Sequence, residues 1–378
     1  MSKLKIYKAF HAYQSYLDQF YKQNPQLKYS SFIDQRNALI YDGAPWIFSW
    51  STNNSNNDIE IFETVHNAEF LQKASIDKCS QEIDWQIKIV FEQIKEMQPD
   101  ICVLYPPNIF DKERIDAIRS LVKHEIFVVG YDGMNRENIK LYNGYDLIIT
   151  CSDYISSFYN KNGIPSYTLK FGFDDSILKR INLNSKLKFN IGFTGSIYHN
   201  VHDGRYEFLR ELTKKNHIAI RSDFLLEENM NLFSKNQLKR LIKNRDWENY
   251  LGLWRISKNN YGPVYGLEMY QFLRDTKISL NMHGDKINFA ANVRLFEITG
   301  TGSCMLTDWK ENLGEIFEID KEIVTYTSVD EANDKIKFLL KNETVRKKIA
   351  LKGQQRTLNE YTYKKIIPEL LKFLQKSI

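Results

Sequence analysis

Arg294 and Glu297 stand three apart in the run Asn292-Val293-Arg294-Leu295-Phe296-Glu297-Ile298-Thr299-Gly300-Thr301-Gly302. On a helix this spacing puts both side chains on one face, one turn from the start. A carboxylate there can accept hydrogen bonds from the vicinal hydroxyls of a ribose. The arginine and the helix dipole favour an adjoining diphosphate. The bland alternative is a solvated ion pair worth about 0.2–0.5 kcal/mol. Leu295, Phe296 and Ile298 surround the pair and predict a mostly buried helix, which a solvated pair fits poorly. The functional reading is the favoured one.

Three further loops carry residues suited to binding. In Phe193-Thr194-Gly195-Ser196-Ile197-Tyr198 a glycine after a strand lets the backbone approach a phosphate, and Arg205 follows shortly. The same pattern also makes an ordinary tight turn, and it is neither a P-loop nor a G-x-G-x-x-G fingerprint. Tyr265-Gly266, opening a helix, can cradle a flat base or simply start that helix. Asn281-Met282-His283-Gly284-Asp285 places a histidine at a strand end, where it can bond a sugar or a phosphate or serve the fold alone. In open parallel sheets ligands bind beyond the carboxyl ends of the strands, which is why these loops stand out.

Around those residues, short apolar runs alternate with longer amphipathic ones, the pattern of α/β layers on a parallel sheet. Strands are expected at 5–10, 101–105, 126–129, 146–150, 189–193, 217–221, 277–282, 303–307 and 322–326. Helices are expected at 12–21, 85–97, 111–123, 205–215, 235–258, 266–275, 292–299 and 329–341, with a surface loop at 50–58 and a helical tail 343–378 broken near Pro368. A turn cluster and an aperiodic polar stretch at 172–188 mark a boundary. The expected division is 1–180, 181–355 and a closing helix 356–378, giving two doubly wound domains in series.

The 378 residues, 43% of them hydrophobic and 26% charged, suit two packed domains and exclude disordered, collagen-like and coiled-coil chains. A net charge of +5 does not argue for nucleic acid as a partner, though it suits peripheral contact with an anionic membrane surface. No apolar run spans a bilayer and the start lacks the form of a signal peptide, so a cytoplasmic protein, at most resting on the inner membrane face, is expected. Cys79, Cys102, Cys151 and Cys304 lie far apart without zinc spacing, and the last three sit in strand-like runs as small buried thiols. Asn53-Asn54-Ser55 and Asn342-Glu343-Thr344 match the glycosylation pattern by chance.

Asn292-x-Arg294-x-Phe296-Glu297-x-x-Gly300-x-Gly302, followed by Met305-Leu306-Thr307-Asp308, resembles the C-terminal signature of GT-B glycosyltransferases of the group-1 type, closest to the spore-maturation-protein-B-like branch. The resemblance extends over residues 189 to about 365, through Gly195-Ser196, Tyr265-Gly266, 277–283, Val324-Thr325-Tyr326, Gly353-Gln354-Gln355-Arg356 and Tyr361-Thr362-Tyr363. The N-terminal half is similar only loosely, at Asn67, Leu71-Gln72, 95–100, 146–152 and Phe171-Gly172-Phe173-Asp174.

The resemblance implies two Rossmann-like domains facing across a cleft, with a nucleotide-sugar donor on the C-terminal one and a glycan or lipid-linked glycan acceptor on the N-terminal one. Glu297 falls on the family's ribose-binding glutamate. Phe289 stands where the family has a second glutamate, so His283 or Asn288 is expected to contact the sugar. Donor-binding residues are then Gly195, Ser196, Arg205, Tyr265, Gly266, Asn281, Asn288, Asn292, Arg294 and Glu297. Catalytic candidates are His283, with Asp132 and His11 as bases should the enzyme invert. No Asp-x-Asp occurs, consistent with donor binding that needs no metal and no cofactor beyond the nucleotide sugar. The implied activity is a hexosyltransferase-like, retaining transfer used in polysaccharide biosynthesis. The readings from other classes are a nucleotide-sugar epimerase of the same fold and a non-catalytic nucleotide-binding relative.

Overall fold

The computed structural model describes residues 3–76, 84–134, 136, 138–197, 203–223, 247–284 and 288–378. Cys79, Tyr198, Asp285 and the first half of the helix expected at 235–258 lie outside the described residues. The chain divides into two compact units, Met1–Asp174 with Tyr361–Ile378, and Asp175–Glu360.

The first unit runs β1 (Leu4–Phe10), α1 (Gln14–Gln23), α2 (Phe32–Asp42), α3 (Pro45–Thr52), β2 (Ile59–Val65), α4 (Glu69–Lys73), α5 (Trp85–Met97), β3 (Ile101–Leu104), α6 (Lys112–Leu121), β4 (Phe127–Tyr131), β5 (Leu147–Thr150), α7 (Asp153–Lys161) and β6 (Ser166–Thr168). Its strands form one parallel sheet in the order β2-β1-β3-β4-β5-β6. Ile101, Cys102, Val103 and Leu104 are all fully buried, as expected of a strand covered on both faces. Tyr7 and Ala9 pack with Val90, Ile94, Ile115 and Ile118, which seats α5 and α6 on that sheet.

The second unit runs β7 (Phe189–Thr194), α8 (Asp203–Leu212), β8 (Ala219–Arg221), α9 (Trp247–Asn259), α10 (Gly266–Arg274), β9 (Thr276–Asn281), α11 (Arg294–Gly300), β10 (Cys304–Asp308), α12 (Leu313–Ile316), β11 (Val324–Tyr326), α13 (Val329–Lys341) and α14 (Glu343–Glu360). The sheet is again all parallel, in the order β11-β10-β9-β7-β8. Sequence order therefore reverses at β7, and the β7/β9 edge is the topological switch point where doubly wound folds take their ligands.

The chain then closes with α15 (Tyr363–Gln375), counted in the first unit, where Phe373 stacks on Tyr167 with ring centroids 4.2 Å apart. The break expected at Pro368 lies instead at Tyr361-Thr362, and Pro368 sits inside α15. Thr362 is extended (φ −97°, ψ 148°) because its neighbours pair with Phe173, whose N–H donates to Tyr361 O at 2.8 Å and whose carbonyl accepts from Tyr363 N at 3.1 Å. Gly172 permits this approach, since a Cβ there would lie 3.1 Å from both Tyr361 O and Tyr363 N. A second difference is that α3 occupies residues to Thr52, so the loop expected at 50–58 is shorter. The strands β2 and β6 and the helices α2, α4 and α7 have no counterpart in the sequence reading. Cys102, Cys151 and Cys304 are free and buried, and burial pushes the Cys151 and Cys304 thiols up to about 12.

His11 and His66 follow β1 and β2 with ring centroids 5.1 Å apart. Burial holds both imidazoles below their ordinary pKa, and the nearby His11 adds to the effect on His66, which falls to about 3. A histidine depressed in the folded state resists the proton that the unfolded chain accepts near pH 6.5. Its stabilising contribution is complete above that pH and is lost as the pH falls toward 3, at up to about 1.4 kcal/mol per unit. His66→Gln is expected to flatten the melting temperature between pH 7 and 4 relative to the parent protein. A scan with unchanged slope counts against it.

Candidate active site

The loops leaving β7 and β9 meet at the switch point through Arg205. Its Nη1 donates to Ser196 O at 2.6 Å and its Nη2 to Met282 O at 3.1 Å, so one guanidinium from α8 ties both strand ends. Gly195 has φ +154°, and a Cβ there would lie 3.3 Å from the Phe193 ring, so this tight exit from β7 favours glycine. Gly195 and Ser196 are half-buried.

Next to that tie, the asparagines serve the protein itself. Asn281, buried in β9, donates from Nδ2 to Thr307 Oγ1 at 3.0 Å and accepts on Oδ1 from Asn292 Nδ2 at 3.0 Å. Asn292 accepts from Leu295 N at 3.3 Å, which caps α11 and fixes it against the end of β9. Both were expected to contact the donor, and both amides also bond to neighbouring protein groups that hold the start of α11 in place. Asn288 is exposed, and its carbonyl accepts from Glu311 N at 3.3 Å.

Glu297 lies in the first turn of α11 and is buried. Tyr270 of α10 donates its hydroxyl to Oε1 at 3.2 Å, and Arg294 Nη1 sits 2.7 Å from Oε2. That last contact is an ion pair without hydrogen-bond alignment, so Oε2 keeps accepting capacity. Arg294 also lies 2.9 Å from Met269 Sδ, which holds it along the α10/α11 seam. Tyr265 and Gly266 open α10, the helix that supplies Tyr270 and Met269.

His283, just past β9, is buried and pairs through Nδ1 with Asp308 Oδ1 at 2.7 Å. Asp308, Lys310, Tyr270 and Met269 were not singled out as site residues. Asp308 sits at the end of β10, the same kind of position that drew attention to His283, and could have been found by that rule.

His11 and Asp132 belong to the first unit. Asp132 is buried and takes three donors: Met134 N at 2.9 Å on Oδ1, and Arg136 Nε at 2.5 Å with Tyr142 OH at 3.1 Å on Oδ2. This makes it the anchor of the turn after β4. Among the described residues, no group of three or more His, Cys, Asp or Glu side chains is arranged to hold a metal ion. No described helix is long and apolar enough to cross a membrane.

Two parallel, doubly wound α/β units in one chain define a GT-B architecture. Residues 205–372, which include most of the residues above, match a family model described as glycosyl transferase-like. No curated protein matches the sequence. Among solved structures, HepE of Anabaena in complex with UDP-glucose superposes with a TM-score of 0.60 at 10% identity, over 99% of this chain and 100% of that one. A glycosyltransferase from Rickettsia africae gives 0.54 at 12% identity, over 100% and 99%. Sucrose-phosphate synthase from Thermosynechococcus elongatus gives 0.54 at 8% identity, over 99% of both chains.

Proposed function

We propose that the protein is a glycosyltransferase that moves a sugar, of hexosyl type, from a nucleoside-diphosphate donor to a hydroxyl of a glycan or lipid-linked glycan. The observation that carries this reading is Glu297, a buried carboxylate with unspent accepting capacity, set on α11 beside the two loops of the switch point. The family model over 205–372 and the UDP-glucose held by the Anabaena protein support the donor class. Retention, metal-free binding and the spore-maturation-protein-B-like branch rest on the resemblance of residues 292–308 and on the missing Asp-x-Asp.

In this reading Glu297 takes the ribose hydroxyls and Tyr265-Gly266 lies along the base. Negative charge develops on the departing diphosphate, where the main chain of Gly195 and Ser196 and the Arg205 guanidinium would stabilise it. Arg294, engaged with Glu297 and Met269, acts by orienting the carboxylate. His283 meets the sugar. Asp132 is given no catalytic part, and His11 stays the base to test on the acceptor side.

A thermal-shift panel of UDP, GDP, CMP and dTDP with their sugars tests the reading. One nucleotide is expected to raise the melting temperature, since a ligand at 100 times its Kd adds about 2.7 kcal/mol. A flat response to every nucleotide at millimolar concentration would refute donor binding. Incubating the selected nucleotide sugar without acceptor separates transfer from epimerisation, because only an epimerase yields a new sugar nucleotide alone.

Arg205→Lys can keep one of the two carbonyl ties and not both. It is expected to weaken binding of the selected nucleotide by about tenfold, the scale of one charge-assisted hydrogen bond, as read by calorimetry. An unchanged Kd removes Arg205 from the phosphate role.

A further inference from the structure

The carboxylate of Asp308 is ringed by donors. Oδ1 accepts from the main-chain N–H of His283 at 3.1 Å and from Thr307 Oγ1 at 3.2 Å, and lies 2.7 Å from His283 Nδ1. Oδ2 faces Lys310 Nζ at 3.4 Å. Burial works to raise the Asp308 pKa, but the bonds from His283, the charge of that ring when protonated and the Lys310 charge outweigh it and hold the group below the ordinary carboxylate range. An ionised carboxylate can only accept, so a neutral His283 must carry its proton on Nδ1.

The opposite edge of the ring is the informative one. His283 Nε2 is buried and has no hydrogen-bond partner among the described residues, and the side chain as a whole is 3% exposed. With the proton on Nδ1, Nε2 is an acceptor with nothing to accept. Phosphate oxygens are acceptors too and would oppose its lone pair, whereas an alcohol O–H complements it.

We infer that Asp308 is a positioning residue that locks His283 in its Nδ1–H form, so that Nε2 accepts a hydrogen bond from a hydroxyl of the donor sugar and does not contact the phosphates. The identity of the ligand rests on the nucleotide-sugar reading. The tautomer does not. Lys310 belongs to the same device, since its ammonium keeps the carboxylate ionised and turned toward the ring.

The test is 15N NMR of histidine-labelled full-length protein near neutral pH, with the His283 signals among the seven histidines assigned by their loss in His283→Gln. The parent protein is expected to show Nδ1–H and an unprotonated Nε2. Asp308→Ala, which removes the acceptor, should move the proton to Nε2. Asp308→Asn, which retains an acceptor oxygen, should keep it on Nδ1. An Nε2–H or doubly protonated ring in the parent, or an Asp308→Ala spectrum with the proton still on Nδ1, overturns the assignment. Should Asp308→Ala fail to fold, the parent and Asp308→Asn spectra still decide it.

Calorimetry with UDP and UDP-glucose then tests the hydroxyl. Asp308→Ala should leave the UDP Kd within about twofold and weaken UDP-glucose about tenfold, the scale of one lost hydrogen bond, with Asp308→Asn restoring most of it. Equal loss for both ligands, or none for either, overturns the sugar contact. If neither ligand binds the parent protein, a uridine-sugar donor is ruled out and the hydroxyl assignment falls with it, while the NMR result separately judges the Asp308–His283 lock.

Discussion

Glu297→Ala is expected to weaken binding of the selected nucleoside diphosphate by about a hundredfold while the protein stays folded. A ribose diol offers two hydroxyl donors to one carboxylate, and each hydrogen bond to a charged group is worth about 1.5–3 kcal/mol. Because two bonds to one group are not additive, a total near 2.7 kcal/mol, or a factor of a hundred, is the reasoned size. The geometry allows it. Tyr270 takes one line of Oε1 at 3.2 Å, and Arg294 compensates charge at 2.7 Å from Oε2 without an aligned bond. Glu297→Gln keeps one acceptor oxygen and loses the charge, and should fall between parent and alanine variant. Removal of the carboxylate also strips Arg294 of its partner, but that side chain is 19% exposed and can turn toward water, so the melting temperature should fall by only a few degrees. Calorimetric Kd values for the three proteins, beside their melting curves, decide the matter. A nucleotide Kd that survives the alanine change removes α11 from the donor site and leaves the fold likeness without a chemical centre.

Much of the scaffold was legible because its signals are local. The run Trp85–Met97 has helical spacing and the helix occupies that range, while 329–341, with Ser328 accepting from Glu331 N at 3.2 Å, begins where a capping residue says it should. Residues at strand ends were legible for the same reason. A histidine or glycine right after an apolar run stands out on its own. What stayed hidden depends on register between distant segments. Asp308 reaches His283 only because β10 lies beside β9 with Thr307 opposite Asn281. Nothing within either segment announces that pairing. The bond between the Asn281 and Asn292 amides was hidden in the same way, since it joins the end of β9 to the start of α11. The strand β2 was hidden more deeply. Ile59–Val65 carries an exposed Glu60 and a fully buried Glu63, and a buried glutamate contradicts the usual apolar pattern unless a partner neutralises it.

That partner supplies the other large expected effect. Lys8 of β1 stands opposite Glu63 of β2 in the sheet register, with Nζ 2.7 Å from Oε1 and side-chain exposures of 1% and 0%. Burial pushes the Lys8 pKa down and Glu63 opposes that shift. The pair also holds α3. Lys8 Nζ donates to Ile47 O, Glu63 Oε1 accepts from Trp50 N at 3.2 Å, and Oε2 accepts from Ser51 N at 2.7 Å. The ammonium further lies 4.2 Å from the centre of the Phe10 ring. Glu63→Ala leaves a buried cation without its counter-charge and two amide N–H groups of α3 without an acceptor. It should cost about 3–5 kcal/mol, the range for breaking a buried pair on one side. In a unit of this size that is a fall of roughly 10 °C or more in melting temperature. Lys8→Met should cost less, because Glu63 keeps its two amide donors. The double variant Lys8→Met/Glu63→Ala should be more stable than Glu63→Ala alone, since no buried charge remains, yet less stable than the parent, because the Trp50 and Ser51 amides still lose their bonds to the carboxylate. Denaturant midpoints for the four proteins form a double-mutant cycle. Additive losses would mean that the two charges do not sense each other across the strands, and α3 would then owe its position to apolar packing alone.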